Sequence, residues 1–173
     1  MISQEEKQSI FEAARATMLD WYGYELSQKG ACIYWNQCAM RELYLRGHKP
    51  VLQAGDMLWR IVPTAQDDGT VATHFGYEWT PQDPFSQQAM TAGLLPEVHV
   101  WCGLLDTQDL VDFSTGTLPQ VAKEQHGYDW HTDKPPEYVF GRPSDDAFYR
   151  PNIEATLYVY RFIMEKFTER APA

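Results

Sequence analysis

The apolar residues of this 173-residue chain change their spacing at Pro50, and that change limits the possible folds more than any other feature of the sequence. From Gln4 to about Tyr22, Ile10, Phe11, Ala14, Met18 and Trp21 recur at three- and four-residue steps, which describes one buried stripe on an amphipathic helix. Gly23 is placed to end it. A second helix is predicted from Gly30-Ala31-Cys32 through Leu45, with Gly47 where a helix C-terminus takes a positive φ. Beyond Pro50 come short extended runs, Val51–Val62, Val71–Trp79, Val98–Leu105 and Leu110–Ser114, divided by Asp, Gly and Pro clusters. A last helix is expected from Asn152 to about Arg170, with Ile153, Leu157, Tyr160, Ile163, Met164 and Phe167 on its inner face. Helices followed by antiparallel strands read as an α+β domain flanked by N- and C-terminal helices. Thr80–Pro96 is polar and Pro-bounded and reads as a long surface loop, while Gln120–Pro151 has little periodicity and is expected to be irregular.

Hydrophobic residues make up 44% of the chain and aromatic residues 14%, enough for one sizeable core, so one domain over residues 1–173 is expected. The net charge of -10 at pH 7, with no run of Lys and Arg, argues against nucleic acid or an anionic membrane surface as a partner. The opening Met1-Ile2-Ser3-Gln4-Glu5-Glu6-Lys7 is polar and acidic where a secretion signal would be basic and then apolar, and no stretch approaches 18 apolar residues. A cytoplasmic location is therefore expected. The three cysteines would stay reduced there, so each must be explained by packing or by chemistry.

A thiol is a useful nucleophile only as thiolate, and the unpaired amides at a helix N-terminus favour that negative charge. Cys32 directly follows Gly30-Ala31 at the predicted start of the second helix. Cys38 lies six residues further, about 240° around the helix axis, and reads as a small core residue. A thiolate also needs an imidazole whose other nitrogen is held by a carboxylate or amide. His99 alternates with Val98 and Val100 and so shares the opposite strand face with Trp101; Asp112 stands between Val111 and Phe113 as a lone carboxylate in an apolar strand. A charge in that position costs stability unless paired. Pairing it with His99 is expected to require residue 99 opposite residue 112, with residues 103–108 as a loop. A tight turn at Thr107-Gln108 would put Gly103 opposite Asp112 instead.

Gly30-x-Cys32 followed by Ala39, Gly47, Pro50-Val51 and Gly55 resembles the nucleophile helix and following strand of the transglutaminase-like, papain-like cysteine superfamily. His99-Val100-Trp101 and Val111-Asp112-Phe113-Ser114 resemble its His-Ala-Trp and Val-Asp-Pro-Thr strands, and the order Cys, His, Asp agrees. The chain departs from that pattern in Phe113, where proline is usual, and in a longer insertion before His99. The resemblance covers residues 30 to 115. It implies a nucleophile helix packed on an antiparallel sheet and an acyl-transfer enzyme in which Cys32 attacks an amide or ester carbonyl, His99 shuttles the proton and Asp112 fixes its tautomer. Water or an amine would then release the thioester. Gln28 is the first candidate for the second oxyanion donor beside the Cys32 amide, Tyr24 the second, and Trp101 stands where the superfamily places a tryptophan beside the histidine. A peptide, a protein or a small amide all remain open as substrate, and no cofactor is called for.

Two rival readings stand beside this one. His99 with Cys102, or His126, His131 and Asp133, have metal-ligating side chains, but His99 and Cys102 would face opposite sides of one strand and no second pair exists, so no metal is assigned. The abundance of Tyr and Trp also suits a non-catalytic binding module with an aromatic-lined cleft for a peptide or glycan. His48 and His74 stand in polar contexts and are expected to be solvated.

Overall fold

A computed structural model describes residues 2–23, 30–130 and 135–166 in full and the backbone of residues 167 and 168. Its elements run α1 (Gln4–Tyr22), α2 (Ala31–Leu45), β1 (Pro50–Ala65), β2 (Val71–Tyr77), α3 (Pro84–Thr91), β3 (His99–Leu104), β4 (Leu110–Asp112), a 3-10 turn at Thr115–Thr117, α4 (Leu118–His126), β5 (Val139–Gly141), β6 (Ala147–Pro151) and α5 (Ile153–Thr168). The fold class is α+β, five helices about a curled antiparallel sheet among the described residues. No helix among them is long and apolar enough to cross a membrane.

Both N-terminal helices end where local chemistry directs. The Ser3 hydroxyl accepts from the Glu6 amide at 3.1 Å, capping α1, and Gly23 closes it in the left-handed conformation, donating to the Leu19 carbonyl at 2.8 Å. Ile10, Phe11, Ala14, Thr17 and Met18 form its buried stripe. Trp21, expected on that stripe, is exposed instead, with the Arg41 guanidinium 5.8 Å from its ring, because the last inward turn is already filled by Thr17 and Met18. α2 buries Cys32, Trp35, Cys38, Ala39 and Leu43, so Cys38 is a core residue, its thiol pushed up to about 12 by burial.

The sheet is built around the 16-residue β1. Its order is β2-β1-β3-β4-β5, and β6 pairs with β1 as well. β1 runs past Pro63, where the sequence suggested a stop at Val62; a register irregularity between Arg60 and Thr64 absorbs the proline. Pro50 to Gly55 pair with β3, and Gly55 to Trp59 pair with β6, so Gly55 stands opposite both His99 and Pro151. A Cβ there would overlap the Arg150 carbonyl oxygen and lie 2.9 Å from the Asn152 nitrogen, so only glycine fits where β1 pairs with β3 and β6 at one residue. Alternation along β3 sends Val100, Cys102 and Leu104 into the clusters formed with α1, α2 and α5. The Cys102 thiol ties the strand to α2 by donating to Asn36 Oδ1 at 2.7 Å.

Two segments differ from expectation. Thr80–Pro96 is not all loop: Asp83 accepts from the Ser86 amide at 3.0 Å and Pro84 opens α3, an N-cap and first-turn proline that the sequence carried in plain view. Gln120–Pro151 contains most of α4 and all of β5 and β6. The two short strands have no periodicity of their own to announce them; they exist because β4 and β1 offer edges to pair with. Gly55→Ala should therefore lower the free energy of unfolding by about 1–3 kcal/mol through overpacking, measurable by urea denaturation.

Candidate active site

Three elements bring the chemistry together. Cys32 is the second residue of α2, after Gly30, which takes a left-handed φ of 85° as N-cap. Its backbone amide belongs to the first turn, whose N–H groups have no intrahelical acceptor. His99 opens β3 and Asp112 closes β4. His99 Nε2 lies 2.7 Å from Asp112 Oδ2, with both side chains 1% exposed.

The hairpin register that achieves this is neither of the two expected. Cys102 pairs with Val111 and Gly103 with Leu110, so that the continuation of the ladder puts Asp112 opposite Trp101. His99 lies two residues further along the same face. It meets the carboxylate diagonally, a distance that an imidazole and a carboxylate together span. Leu104 donates to the Asp109 carbonyl at 2.9 Å, which leaves Leu105 to Gln108 as the loop, and Gln108 takes a positive φ of 60° to close it. A direct 99–112 pairing was not required.

The Asp112 carboxylate accepts four hydrogen bonds. Its Oδ1 takes the Ser114 amide at 2.9 Å and the Ser114 hydroxyl at 2.7 Å, and its Oδ2 takes Tyr149 Oη–H at 2.8 Å besides His99. Burial would raise its pKa, but the charge and bond of His99 with the two bonds of Ser114 hold it below the ordinary carboxylate value. For His99, burial would push the imidazole down; the Asp112 charge and hydrogen bond outweigh it, with a smaller contribution from Cys32, and the ring stays protonated well above its ordinary range. A carboxylate only accepts, so Nε2 carries a proton. Nδ1 is buried and makes no hydrogen bond of ordinary geometry, and the Cys32 thiol is the remaining group that raises the ring's pKa.

Aromatic rings hold the imidazole in place. Tyr77 stacks on it at 5.6 Å and 8°, Trp101 at 6.1 Å and 22°, and Tyr149 meets it at 61°. Trp101 is buried and donates to Gln53 Oε1 at 2.7 Å, so it serves as a core aromatic and a flank of His99 at once. Gln28 and Tyr24 lie outside the described residues, as do His131 and Asp133. Cys102 is fully buried on the helix side of β3, away from the His99 face, and burial pushes its thiol well up. His48, expected to be solvated, is mostly buried between Asp106 at 3.3 Å and Glu6 at 3.8 Å, because the β3–β4 loop and α1 close over it; His74 is exposed. No group of three or more His, Cys, Asp and Glu side chains among the described residues is arranged to hold a metal ion.

The sequence reading missed Tyr149, Tyr77 and the role of Ser114. A serine two residues after an aspartate is a local turn signal and was available. Tyr149 reaches Asp112 only because β6 returns to β1, and nothing local announces that. A cavity of about 310 Å³ opens beside Cys32, walled by Ile33, Tyr34, Tyr77, Leu95, Val98 and Phe162. A second, of about 480 Å³, shares Leu95, Pro96 and Glu97 with it and continues to Asp83, Phe85 and Ser86. Comparison with protein-family models, curated proteins and solved structures finds no match to this chain.

The pair makes stability depend on pH in both directions. The lowered pKa of Asp112 contributes stability that is present above its unfolded value near 3.9 and is lost as pH falls through the folded value. The raised pKa of His99 contributes stability fully present below about 6.5 and lost as pH rises through its folded value. Asp112→Asn should flatten both limbs, since the buried ring then titrates without a counter-charge; urea melts from acid to alkaline pH read this. Tyr149→Phe should cost about 1–3 kcal/mol near neutral pH, where the carboxylate is ionised, and less once Asp112 is protonated.

Proposed function

We propose that this chain is a cysteine-dependent acyl-transfer enzyme with a transglutaminase-like, papain-like core, in which Cys32, His99 and Asp112 form the triad. The observation that carries the reading is the buried His99–Asp112 bond of 2.7 Å on an imidazole whose pKa the Cys32 thiol also raises. A purely structural histidine–aspartate pair gives no reason for a thiol at a helix N-terminus to act on the same ring.

In the proposed mechanism the Cys32 proton already resides on His99 Nδ1 in the resting pair, consistent with the raised pKa of the ring, and the sulfur attacks the carbonyl carbon of a bound amide or ester. The C–S bond forms as the carbonyl π electrons move to oxygen, where the Cys32 amide at the start of α2 is the available donor. The C–N or C–O bond then breaks, His99 returning its proton to the leaving amine or alcohol. Water or a second amine, deprotonated by His99, attacks the thioester and frees the thiol. Asp112 keeps Nε2–H in place throughout and stabilises the imidazolium.

The apolar wall beside Cys32 supports an acyl donor with an apolar side chain. The adjoining cavity, with the carboxylates of Asp83 and Glu97, suits an amine-bearing leaving or accepting group better than an anionic one. The rival reading, a non-catalytic binding module, draws on the same Tyr34, Tyr77 and Phe162 side chains, and it predicts an inert Cys32.

Iodoacetamide labelling at pH 6 with peptide mapping separates the two: Cys32 should react far faster than Cys38 or Cys102, and equal or slower modification would falsify the proposed triad. With an amide or thioester acyl donor, Asp112→Asn should lower turnover by roughly 10²–10⁴-fold, while Asp106→Asn and Asp109→Asn, at the loop, should change it little.

A further inference from the structure

α5 carries apolar residues on two opposite faces. Ala155 and Val159 are fully buried against the sheet and Phe162 and Ile163 half-buried beside them, packed with Cys32, Ala54 and Val100. On the other side Ile153, Leu157, Tyr160 and Met164 are 78%, 51%, 55% and 45% exposed. The sequence reading put these four on the inner face, together with Ile163 and with Phe167, whose side chain lies outside the described residues. The structure turns them outward because Thr156 Oγ1 is fixed to the backbone of Ala54, accepting from its amide at 3.0 Å while donating to the Asn152 carbonyl at 2.9 Å. That anchor sets the rotation of the helix.

The outward residues step by four, three and four. That 3.5-residue repeat is the spacing of a seam at which two helices pack on one another, rather than of a stripe lying on a sheet. The charges beside it select the partner. Glu154, Arg161 and Glu165 each directly follow a seam residue, on the solvent side, with Glu154 and Arg161 nearer the seam, whereas the opposite flank, Thr156 and Ile163, is turned toward the body of the chain. Seven residues apart, Glu154 and Arg161 are about 10 Å apart along the axis, too far to pair within one helix.

We propose that the outer face of α5 is a homodimer interface, on which α5 of a second copy packs antiparallel. A two-fold axis between Tyr158 and Val159 brings Leu157 of each copy onto Tyr160 of the other, and Ile153 onto Met164. It also brings Glu154 of each copy within about 3 Å along the axis of Arg161 of the other, on the row next to the seam, with Glu165 on the row further out. A parallel arrangement would set Glu154 level with Glu154 and Arg161 level with Arg161. The seam from residue 153 to residue 164 is about 16 Å long, so the dimer is of the weak class that small interfaces give. Phe162 of the same helix lines the cavity beside Cys32 from the inner side, so the interface leaves that cavity facing away from it.

Sedimentation equilibrium and light scattering from about 1 µM to about 1 mM protein cover the range in which such an interface titrates. The mass should rise from 20.0 kDa toward twice that value. Leu157→Asp should hold it at the monomer value with an unchanged thermal melt. Glu154→Arg alone should weaken association at least several-fold, and Glu154→Arg with Arg161→Glu should restore it, a result that loss of folding cannot imitate. Leu105→Ser, which removes an exposed leucine of the β3–β4 loop, should change nothing, and Cys32→Ser should dimerise as the wild type does. A wild-type chain monomeric at the highest concentration overturns the proposal, as does a dimer that survives Leu157→Asp or dissolves with Leu105→Ser. Failure of the double charge exchange to restore association overturns the antiparallel arrangement. A monomer that instead cosediments with lipid vesicles through this stripe assigns it to a membrane surface and overturns the dimer as well.

Discussion

An imidazole and a carboxylate, each 1% exposed, sit in the middle of the sheet with each other as partners. Neither is tolerable there alone, since an uncompensated charge at that depth would cost several kcal/mol. Much of the surrounding architecture answers that constraint. The turn after β4 gives two Ser114 donors to Asp112, β6 is brought back to β1 so that Tyr149 donates as well, and Tyr77 and Trp101 pack the ring. The carboxylate is thus held ionised with four donors, and the ring is held protonated with one nitrogen left over.

The scaffold that makes this possible is one long strand. β1 pairs with β3 from Pro50 to Gly55, with β6 from Gly55 to Trp59 and with β2 from Met57 to Ala65, and β3 and β6 meet it at one residue, Gly55, opposite His99. The backbone crowding that forbids a side chain at Gly55 is also what brings Tyr149, two residues before Pro151, into reach of Asp112. α2 and α5 cover the same face of this strand system, α2 with its N-terminal Cys32 and α5 with Phe162, so the cavity beside the thiol is walled by both helices and the strands between them. The β1–Thr156 anchor that rotates α5 into that wall leaves the helix's larger apolar residues pointing away from the core.

Local properties were legible in the sequence. Helix periodicity, the Ser3 and Gly23 caps, the placement of Cys32 at a helix start and the alternation that isolates His99 and Asp112 on one strand face each depend on neighbours within a few residues. The N-cap and proline of α3 were legible too, and were overlooked beneath the polar composition of that segment. What could not be read was set by contacts between distant residues. β5 and β6 are too short to show a period, and the β3–β4 register depends on a four-residue loop closed by a positive φ at Gln108, a conformation its residue type does not announce. α5 offered two apolar stripes of similar credibility, and the hydrogen bond from the Ala54 amide to Thr156, some hundred residues away, chose between them.

The sequence by itself therefore determined which residues can form a thiol, imidazole and carboxylate constellation, and on which elements they ride, because side-chain direction within a helix or strand follows from its own repeat. Tertiary structure alone decided that Asp112 meets His99 diagonally and not face to face, that Tyr149 joins them, and which face of α5 is left outside. Those outcomes rest on strand pairing and helix rotation, where a shift of one residue or a fraction of a turn exchanges inside for outside, and the energies that fix them come from partners far away along the chain.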